Sequence, residues 1–183
     1  MINELYRVLN VVLLFLVGLL FCSIQSVLLK APLVSWLELD LLLLMVVYLS
    51  LHRNLVEGCL VVIMLGRIIE VHSGSPSGLL ITCYLAVFIL ILFTREMFLV
   101  GNTFSAIILA MASGLIWKIA FFILAREFGI LGNVWRSSIE FLIPYLLGLG
   151  LCCRPIFELL QRVDYFTKYD RESESRQLLG EDF

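Results

Sequence analysis

The chain has 183 residues, of which 61% are hydrophobic and only 15% are charged, and its mean hydropathy is +1.03. Soluble domains are roughly half apolar and about one quarter charged, so this composition excludes an ordinary soluble domain and predicts a membrane protein. The net charge of −2 is unevenly placed along the chain, and no basic cluster with interleaved aromatic residues indicates a nucleic-acid partner.

Six apolar runs approach the ~20 residues that a helix needs to cross a bilayer core of ~30 Å. Backbone groups in lipid must form hydrogen bonds within their own segment, so we interpret each run as a transmembrane helix. The sequence therefore predicts an all-α membrane protein, with six transmembrane helices forming a single bundle within residues 1–155. The predicted spans are Val8–Leu29, Val34–Leu51, Leu55–Val71, Ser77–Phe93, Gly101–Leu124 and Ser138–Cys153.

The distribution of lysine and arginine predicts the orientation of these spans. With six spans both termini share one side of the membrane, and that side holds eight of these residues, against three on the opposite side. The side richer in short-loop lysine and arginine faces the cytoplasm. We therefore expect both termini to be cytoplasmic and the GSPSG turn at residues 74–78 to face outward.

The chain changes character after Arg154-Pro155. Apolar residues recur there at helical spacing between charged ones, which predicts a short amphipathic cytoplasmic helix lying on the inner membrane surface. The alternative is a helix that docks to a cytoplasmic partner. Together with a polar, flexible end, this helix makes up a tail of residues 156–183. The apolar positions are Ile156, Leu159, Leu160, Val163 and Phe166.

Charged residues inside predicted spans are functional-site hypotheses by default. Glu38 and Asp40 lie early in the second span, near its outer end. We favour interfacial residues that reach water, and the alternative is the outer mouth of a cavity. Glu57 opens the third span, where a carboxylate complements the helix dipole.

Arg67 and Glu70 lie one turn apart near the outer end of the third span. At this spacing they can form an ion pair, and we favour a structural pair over a transport site. His72 follows them at the exit of the span. It is either a pH sensor or, as we prefer, an interfacial histidine in contact with water.

The residues around the GSPSG turn predict how the third and fourth spans are joined. Gly66 permits close packing with a neighbouring helix, and Ser73-Gly74 ends the third helix. Ser75 can cap the next helix, with Pro76 at its first position, where the missing N–H costs nothing. Gly78 leaves room for a neighbouring helix.

The fifth span carries a row of small residues, Ala106, Ala110 and Gly114, at steps of four. Such a small-xxx-small face lets two helix backbones approach closely, so it predicts helix packing without naming the partner helix. We expect a partner protein to bind along this row or, alternatively, along the second and third spans. Lys118 continues the row. It can pair with an acid on a neighbouring helix, or its stem can reach outward past Trp117.

No catalytic or phosphate-binding motif is present in the sequence. The two histidines fall on opposite sides of the predicted membrane and cannot share a metal ion. The five cysteines lie in or beside apolar runs, which is typical of small apolar filler. We therefore expect neither enzymatic activity nor a metal or other cofactor.

Residues 39–80, LDLLLLMVVYLSLHRNLVEGCLVVIMLGRIIEVHSGSPSGLL, resemble the MreD family of bacterial rod-shape-determining proteins. That family typically has an apolar second span, a short basic turn, and a third span with an inner glycine and an acidic residue before S-G-x-P-x-G-L. Glu70 stands where the family commonly has aspartate, and Arg67 also departs from its pattern. The matching positions are His52-Arg53, Gly58, Gly66, Glu70, Ser73-Gly74, Pro76 and Gly78-Leu79.

The resemblance implies a non-enzymatic role in cell-wall elongation at the bacterial inner membrane. MreD proteins work beside MreC, which regulates the glycosyltransferase RodA and a class B penicillin-binding transpeptidase, while cytoplasmic MreB filaments organise the assembly. The family also resembles the substrate-binding components of energy-coupling-factor transporters in span number and bundle shape. This second resemblance implies an internal cavity that opens outward near GSPSG.

Two rival functions stay open at the level of sequence. A small-molecule carrier of the energy-coupling-factor type would line its pocket with Asp40, Arg67, Glu70 and Trp117. A membrane enzyme or proton carrier would instead use Glu70 and His72.

Overall fold

The computed structural model describes residues 2–28, 39–95, 103–129 and 141–167. The predicted start of the second span, with Glu38, and the predicted polar end of the tail after Thr167 lie outside these ranges. The described residues confirm the all-helical class. Their six helices are α1 (Ile2–Leu28), α2 (Leu41–His52), α3 (Leu55–Ser73), α4 (Leu79–Thr94), α5 (Thr103–Glu127) and α6 (Leu142–Phe166).

Three of these helices are long and apolar enough to cross a membrane: α1 over Val8–Val27, α5 over Phe104–Glu127 and α6 over Leu142–Phe166. Helices α2 and α4 are apolar but have only 12 and 16 residues. At 1.5 Å per residue, α2 is ~18 Å long, against a bilayer core of ~30 Å. Three described helices are thus long and apolar enough to span a membrane, which is consistent with a membrane protein, and the count of six spans stays a prediction.

Helix α2 is the central element of the bundle. Every residue from Leu41 to Leu51 is buried, and the helix packs against all five others. A helix that is apolar around its whole circumference needs apolar neighbours on every side. The other five helices supply those neighbours.

Helices α3 and α4 pack closely because two glycines of α3 face α4. A Cβ atom on Gly66 would lie 3.3 Å from the Cα atom of Ile81, and one on Gly58 would lie 2.4 Å from the Phe88 ring. The close packing predicted at Gly66 is confirmed. Both glycines of α3 therefore lie in its contact with α4.

Helix α6 continues through Pro155 and ends only at Phe166. Ile156, Phe157 and Leu160 belong to the buried core, and the Phe157 ring lies 5.4 Å from that of Tyr48 on α2. The prediction of a separate helix is therefore wrong, because residues 156–166 continue α6. Of the predicted apolar positions, Ile156 and Leu160 pack in the core, whereas Leu159 and Phe166 are exposed. Proline removes one N–H from the helix, and the packing on both sides of Pro155 keeps the helix continuous.

The outward faces of the helices are apolar. Soluble proteins rarely expose contiguous apolar surface on this scale, and lipid tails would cover it in a membrane. Exposed examples from α1, α5 and α6 are Leu16, Leu20, Val27, Ile108, Ile119, Ile123, Ile143, Leu147 and Leu151.

Candidate functional site: three polar clusters

The α3–α4 hairpin depends on two glycines with left-handed backbone conformations. Gly74 ends α3 at φ 65°, as predicted for Ser73-Gly74, and Gly78 precedes α4 at φ 93°. L-residues with side chains rarely adopt these angles. We predicted that Gly78 leaves room for a neighbouring helix, but a Cβ atom there would meet nothing within 4 Å. Backbone conformation is therefore what requires glycine at this position.

The buried Glu70 carboxylate links three parts of this hairpin. Its Oε1 accepts a hydrogen bond from the backbone N–H of Ile81 at 3.0 Å, and its Oε2 accepts one from Arg67 Nη1 at 3.3 Å. The predicted Arg67–Glu70 ion pair is thus present. The bond to Ile81 adds a second role, because the first N–H groups of a helix have no partner within it and carry partial positive charge. Glu70 on α3 caps the N-terminus of α4.

The predicted cap of α4 by Ser75, with Pro76 in its first turn, is wrong. The helix begins at Leu79, whose N–H donates to the Pro76 carbonyl at 3.2 Å. The Ser75 hydroxyl lies 2.8 Å from that of Ser73, within the turn itself. Residues 75–77 thus span the turn, and Glu70 does the capping from the neighbouring helix.

A second cluster, which we call the outer cluster, surrounds Asp40. This residue is 5% exposed and caps α2, accepting from the backbone N–H of Leu43 at 3.0 Å and from the hydroxyl of Tyr84 at 2.9 Å. Gln25 on α1 is also hydrogen-bonded to it. The favoured prediction of an interfacial residue that reaches water is therefore wrong, because side chains from α1 and α4 enclose the carboxylate.

Lys118 on α5 completes the outer cluster. It is 8% exposed, its Nζ atom lies 4.8 Å from the centroid of the Tyr145 ring, and it attracts Asp40 electrostatically. A cation over an aromatic face is a favourable contact that strengthens when water is excluded. The burial of Lys118 excludes the alternative in which its stem reaches outward, and its attraction for Asp40 agrees with the alternative of a neighbouring acid. Trp117 lies beside Tyr84, with 5.9 Å between their ring centroids.

A third cluster, the inner cluster, gathers around Asp164 near the other end of α2. The Tyr48 hydroxyl donates to Asp164 Oδ2 at 2.6 Å, and Arg53 forms an ion pair with Oδ1. Asn10 Nδ2 donates to the same Oδ1 at 3.1 Å and also to the Thr167 hydroxyl. Arg53 and Asn10 are buried, so this cluster fastens α1, α2 and α6 together.

Sequence reasoning missed the inner cluster. Asn10 interrupts the first apolar run, which is the one signal that was available. Asp164 is one of several charged residues in the predicted surface helix. Its partners Asn10 and Arg53 are 154 and 111 positions away in the sequence, and nothing in the sequence indicated these contacts.

The row of small residues on α5 lies against α6 of the same chain. A Cβ atom on Gly114 would lie 2.4 Å from Leu149 Cδ1, and the Cys153 thiol lies 3.6 Å from the Ala106 carbonyl oxygen. Ala110 is fully buried. The row is thus a face of close helix packing, but the chain's own α6 covers it, so a separate partner helix cannot dock there.

The structure places the predicted pocket residues in two clusters. Asp40 and Lys118 lie in the outer cluster, whereas Arg67 and Glu70 pair in the hairpin. His72 is exposed at the hairpin end of α3, and His52 lies at the opposite end of α2 with Nδ1 3.1 Å from the Tyr48 carbonyl oxygen. Within the described ranges no three histidine, cysteine or acidic residues are grouped to hold a metal ion.

Comparisons of this chain with family models, with curated proteins and with solved structures found no match.

Proposed function

We propose that this protein is a membrane scaffold of the bacterial cell-elongation machinery, which binds MreC and supports peptidoglycan synthesis and rod cell shape. The proposal starts from the resemblance of residues 39–80 to the MreD family. The observation that carries it is the part these motif residues play in the α3–α4 hairpin.

The motif residues act in helix packing and turn geometry. Gly66 allows α4 to approach α3, Glu70 caps α4, and Gly74 and Gly78 supply the two left-handed residues of the turn. A carboxylate held by a helix N-terminus and an arginine is suited to fixing a hairpin. These roles favour a protein that works by presenting a defined surface to partners.

The proposed setting is the inner membrane, with several spans and both termini in the cytoplasm. MreC is the direct partner in this proposal. RodA, a class B penicillin-binding transpeptidase and MreB belong to the same assembly, and membrane lipid surrounds the bundle. The proposed role is non-enzymatic and uses no cofactor.

The outward face of α5 is the surface that we propose for the MreC helix. Ile108, Leu115 and Ile119 are exposed there, and Ala112 lies exposed between them. A small residue between larger ones forms a notch into which a second membrane helix can pack. This face lies opposite the row that α6 covers, so the described helices leave it open.

Co-purification in detergent with affinity-tagged MreC tests the proposal, with a known MreD protein as the positive control. We expect the wild-type chain to be retained and Ala112→Phe to reduce retention, because a bulky ring fills the notch. Leu20→Phe on the exposed face of α1 is the matched control and should be retained like the wild type. If MreC retains the known MreD protein but not this chain, the proposed function is wrong.

An energy-coupling-factor type substrate-binding component is the alternative function, and one observation in the outer cluster favours it. The indole Nε1 atom of Trp117 is buried and, within the described part of the chain, has no hydrogen-bond partner. A buried donor without a partner is costly, and a small polar ligand would satisfy it. A thermal-shift screen against vitamins tests this, since a ligand at 100 times its Kd adds ~2.7 kcal/mol of stability.

A further inference from the structure

Arg67 is a charged side chain on an otherwise apolar outer face of the bundle. Its side chain is 56% exposed, whereas its partner Glu70 is buried. The exposed neighbours along the same face of α3 are Leu60, Ile63, Met64 and Val71. A guanidinium group facing lipid tails is unfavourable, so this position calls for an anionic partner outside the bundle.

The charges of the hairpin leave Arg67 only partly neutralised. The Glu70 carboxylate is shared between Arg67 and the N-terminus of α4, which carries partial positive charge of its own. The Arg67 guanidinium makes one hydrogen bond to this carboxylate, at 3.3 Å, and a guanidinium has five N–H donors. The site therefore has net positive character, and more than half of the Arg67 side chain is exposed.

In the predicted topology, Arg67 lies near the outer end of the third span, within reach of the lipid headgroups. It lies six residues before Ser73, the last residue of α3, and this distance along the helix is ~9 Å. A long arginine side chain extends to the membrane interface from such a depth. The exposed apolar residues on the other side of Arg67, toward Leu55, then lie at the depth of acyl chains.

The outer face of α3 is better suited to lipid than to a second helix. Close association of membrane helices relies on small residues, and Gly58 and Gly66 of α3 both face α4. The outer face instead presents Leu60, Ile63 and Met64, whose flexible side chains suit acyl chains. Arg67 is, moreover, a residue at which this chain departs from the MreD pattern.

We propose that the outer face of α3 binds an anionic phospholipid, with Arg67 holding the phosphate and the acyl chain lying along Leu60, Ile63 and Met64. This lipid site is independent of the proposed scaffold function. It is located in the leaflet at the α3–α4 hairpin end of the protein.

Native mass spectrometry of the full chain, stripped of lipid in detergent and titrated with phosphatidylglycerol, tests the site. We expect Arg67→Gln to weaken phosphatidylglycerol binding about fivefold, the effect of one basic residue near an anionic headgroup. Arg67→Lys should keep part of the affinity. Diacylglycerol, which lacks the phosphate, should bind more weakly and be indifferent to Arg67→Gln.

Arg154→Gln is the matched control, because Arg154 is an exposed arginine on α6 that pairs with Glu158 at 2.9 Å. It should leave phosphatidylglycerol affinity unchanged. The lipid site is ruled out if Arg67→Gln binds like the wild type, or if Arg154→Gln weakens binding equally, since the effect would then be one of total charge. Loss of MreC retention by Arg67→Gln, with lipid affinity intact, would also overturn it in favour of a helix-docking site.

Discussion

Glu70 on α3 and the backbone of Ile81 on α4 are joined by a hydrogen bond of 3.0 Å, across eleven positions of sequence. The residue before α4, Gly78, has no side chain with which to cap that helix. Glu70 performs the task from the preceding helix, so α3, the turn and α4 stabilise one another. Loss of this one carboxylate should therefore affect the whole hairpin.

Glu70→Ala should lower the free energy of unfolding by about 1–2 kcal/mol, the usual cost of removing a helix cap. Glu70→Gln should fall between this variant and the wild type, since it keeps an acceptor oxygen and loses the charge that favours a helix N-terminus. Denaturant unfolding in detergent, followed by circular dichroism, measures both. Arg67→Gln serves as the control, because it removes an exposed partner and leaves the cap in place.

The opposite pattern would revive the proton-carrier hypothesis for Glu70 and His72. In that case Glu70→Gln would abolish function, while unfolding and co-purification with MreC stayed at wild-type values. If His72 shares this role, His72→Gln should also abolish function. Because His72 is exposed at the end of α3, this substitution should leave the fold intact.

Asp164 is the acceptor at the centre of the inner cluster. Among the polar residues near that end of α2, its substitution should lower the free energy of unfolding the most. Asp164→Ala leaves the buried Arg53 without its carboxylate, and breaking a buried pair in this way costs about 3–5 kcal/mol. Asp164→Asn should cost less, because it keeps an acceptor for Tyr48. The same denaturant experiment provides the measurement.

Glu158→Gln is the comparison for Asp164 on the same helix. Its ion pair with Arg154 is exposed, and such pairs contribute about 0–1 kcal/mol. Similar unfolding free energies for Asp164→Ala and Glu158→Gln would mean that the inner cluster adds nothing to the stability of the bundle.

Local patterns in the sequence predicted those features of the fold that depend on neighbouring residues. The Arg67–Glu70 pair follows from a spacing of one turn, and Gly74 follows from the need for a left-handed residue after a helix. Asp40 could not be placed in this way. Its burial depends on Gln25 and Tyr84, which come from other helices, and apolar sequence does not encode which helices become neighbours.

The misjudged end of α6 has a related physical cause. Proline and a mixture of charged and apolar residues indicate a helix break followed by an amphipathic segment, and both inferences are local. Whether Phe157 meets lipid headgroups or Tyr48 depends on how far α2 extends, which is a property of the tertiary structure. The role of Asp164 as an acceptor for residues of α1 and α2 could not be predicted for the same reason.

Two glycines of the α5–α6 contact should respond oppositely to the same substitution. Gly114→Ala should destabilise by about 1–3 kcal/mol, because its methyl group would meet the fully buried Leu149 as well as Tyr145. Gly150→Ala brings contacts of 3.5 Å or more, which are ordinary, and alanine favours a helix over glycine by about 1 kcal/mol. It should be neutral or stabilising in denaturant unfolding. Equal effects of the two variants would show that α5 and α6 do not pack as described.

The orientation of the bundle can be checked by labelling introduced cysteines with a membrane-impermeant thiol reagent. Ser77 in the hairpin and Glu127 at the end of α5 are exposed near the same end of the bundle, and Gln161 is exposed near the other. If the lysine and arginine bias sets orientation, Ser77→Cys and Glu127→Cys should react in intact spheroplasts, and Gln161→Cys only after permeabilisation. The wild-type chain, whose described cysteines are all free, sets the background. If only Gln161→Cys reacts in intact spheroplasts, the orientation is the reverse of the predicted one. If Ser77→Cys and Gln161→Cys react from the same side, the two ends of the bundle do not lie on opposite sides of the membrane.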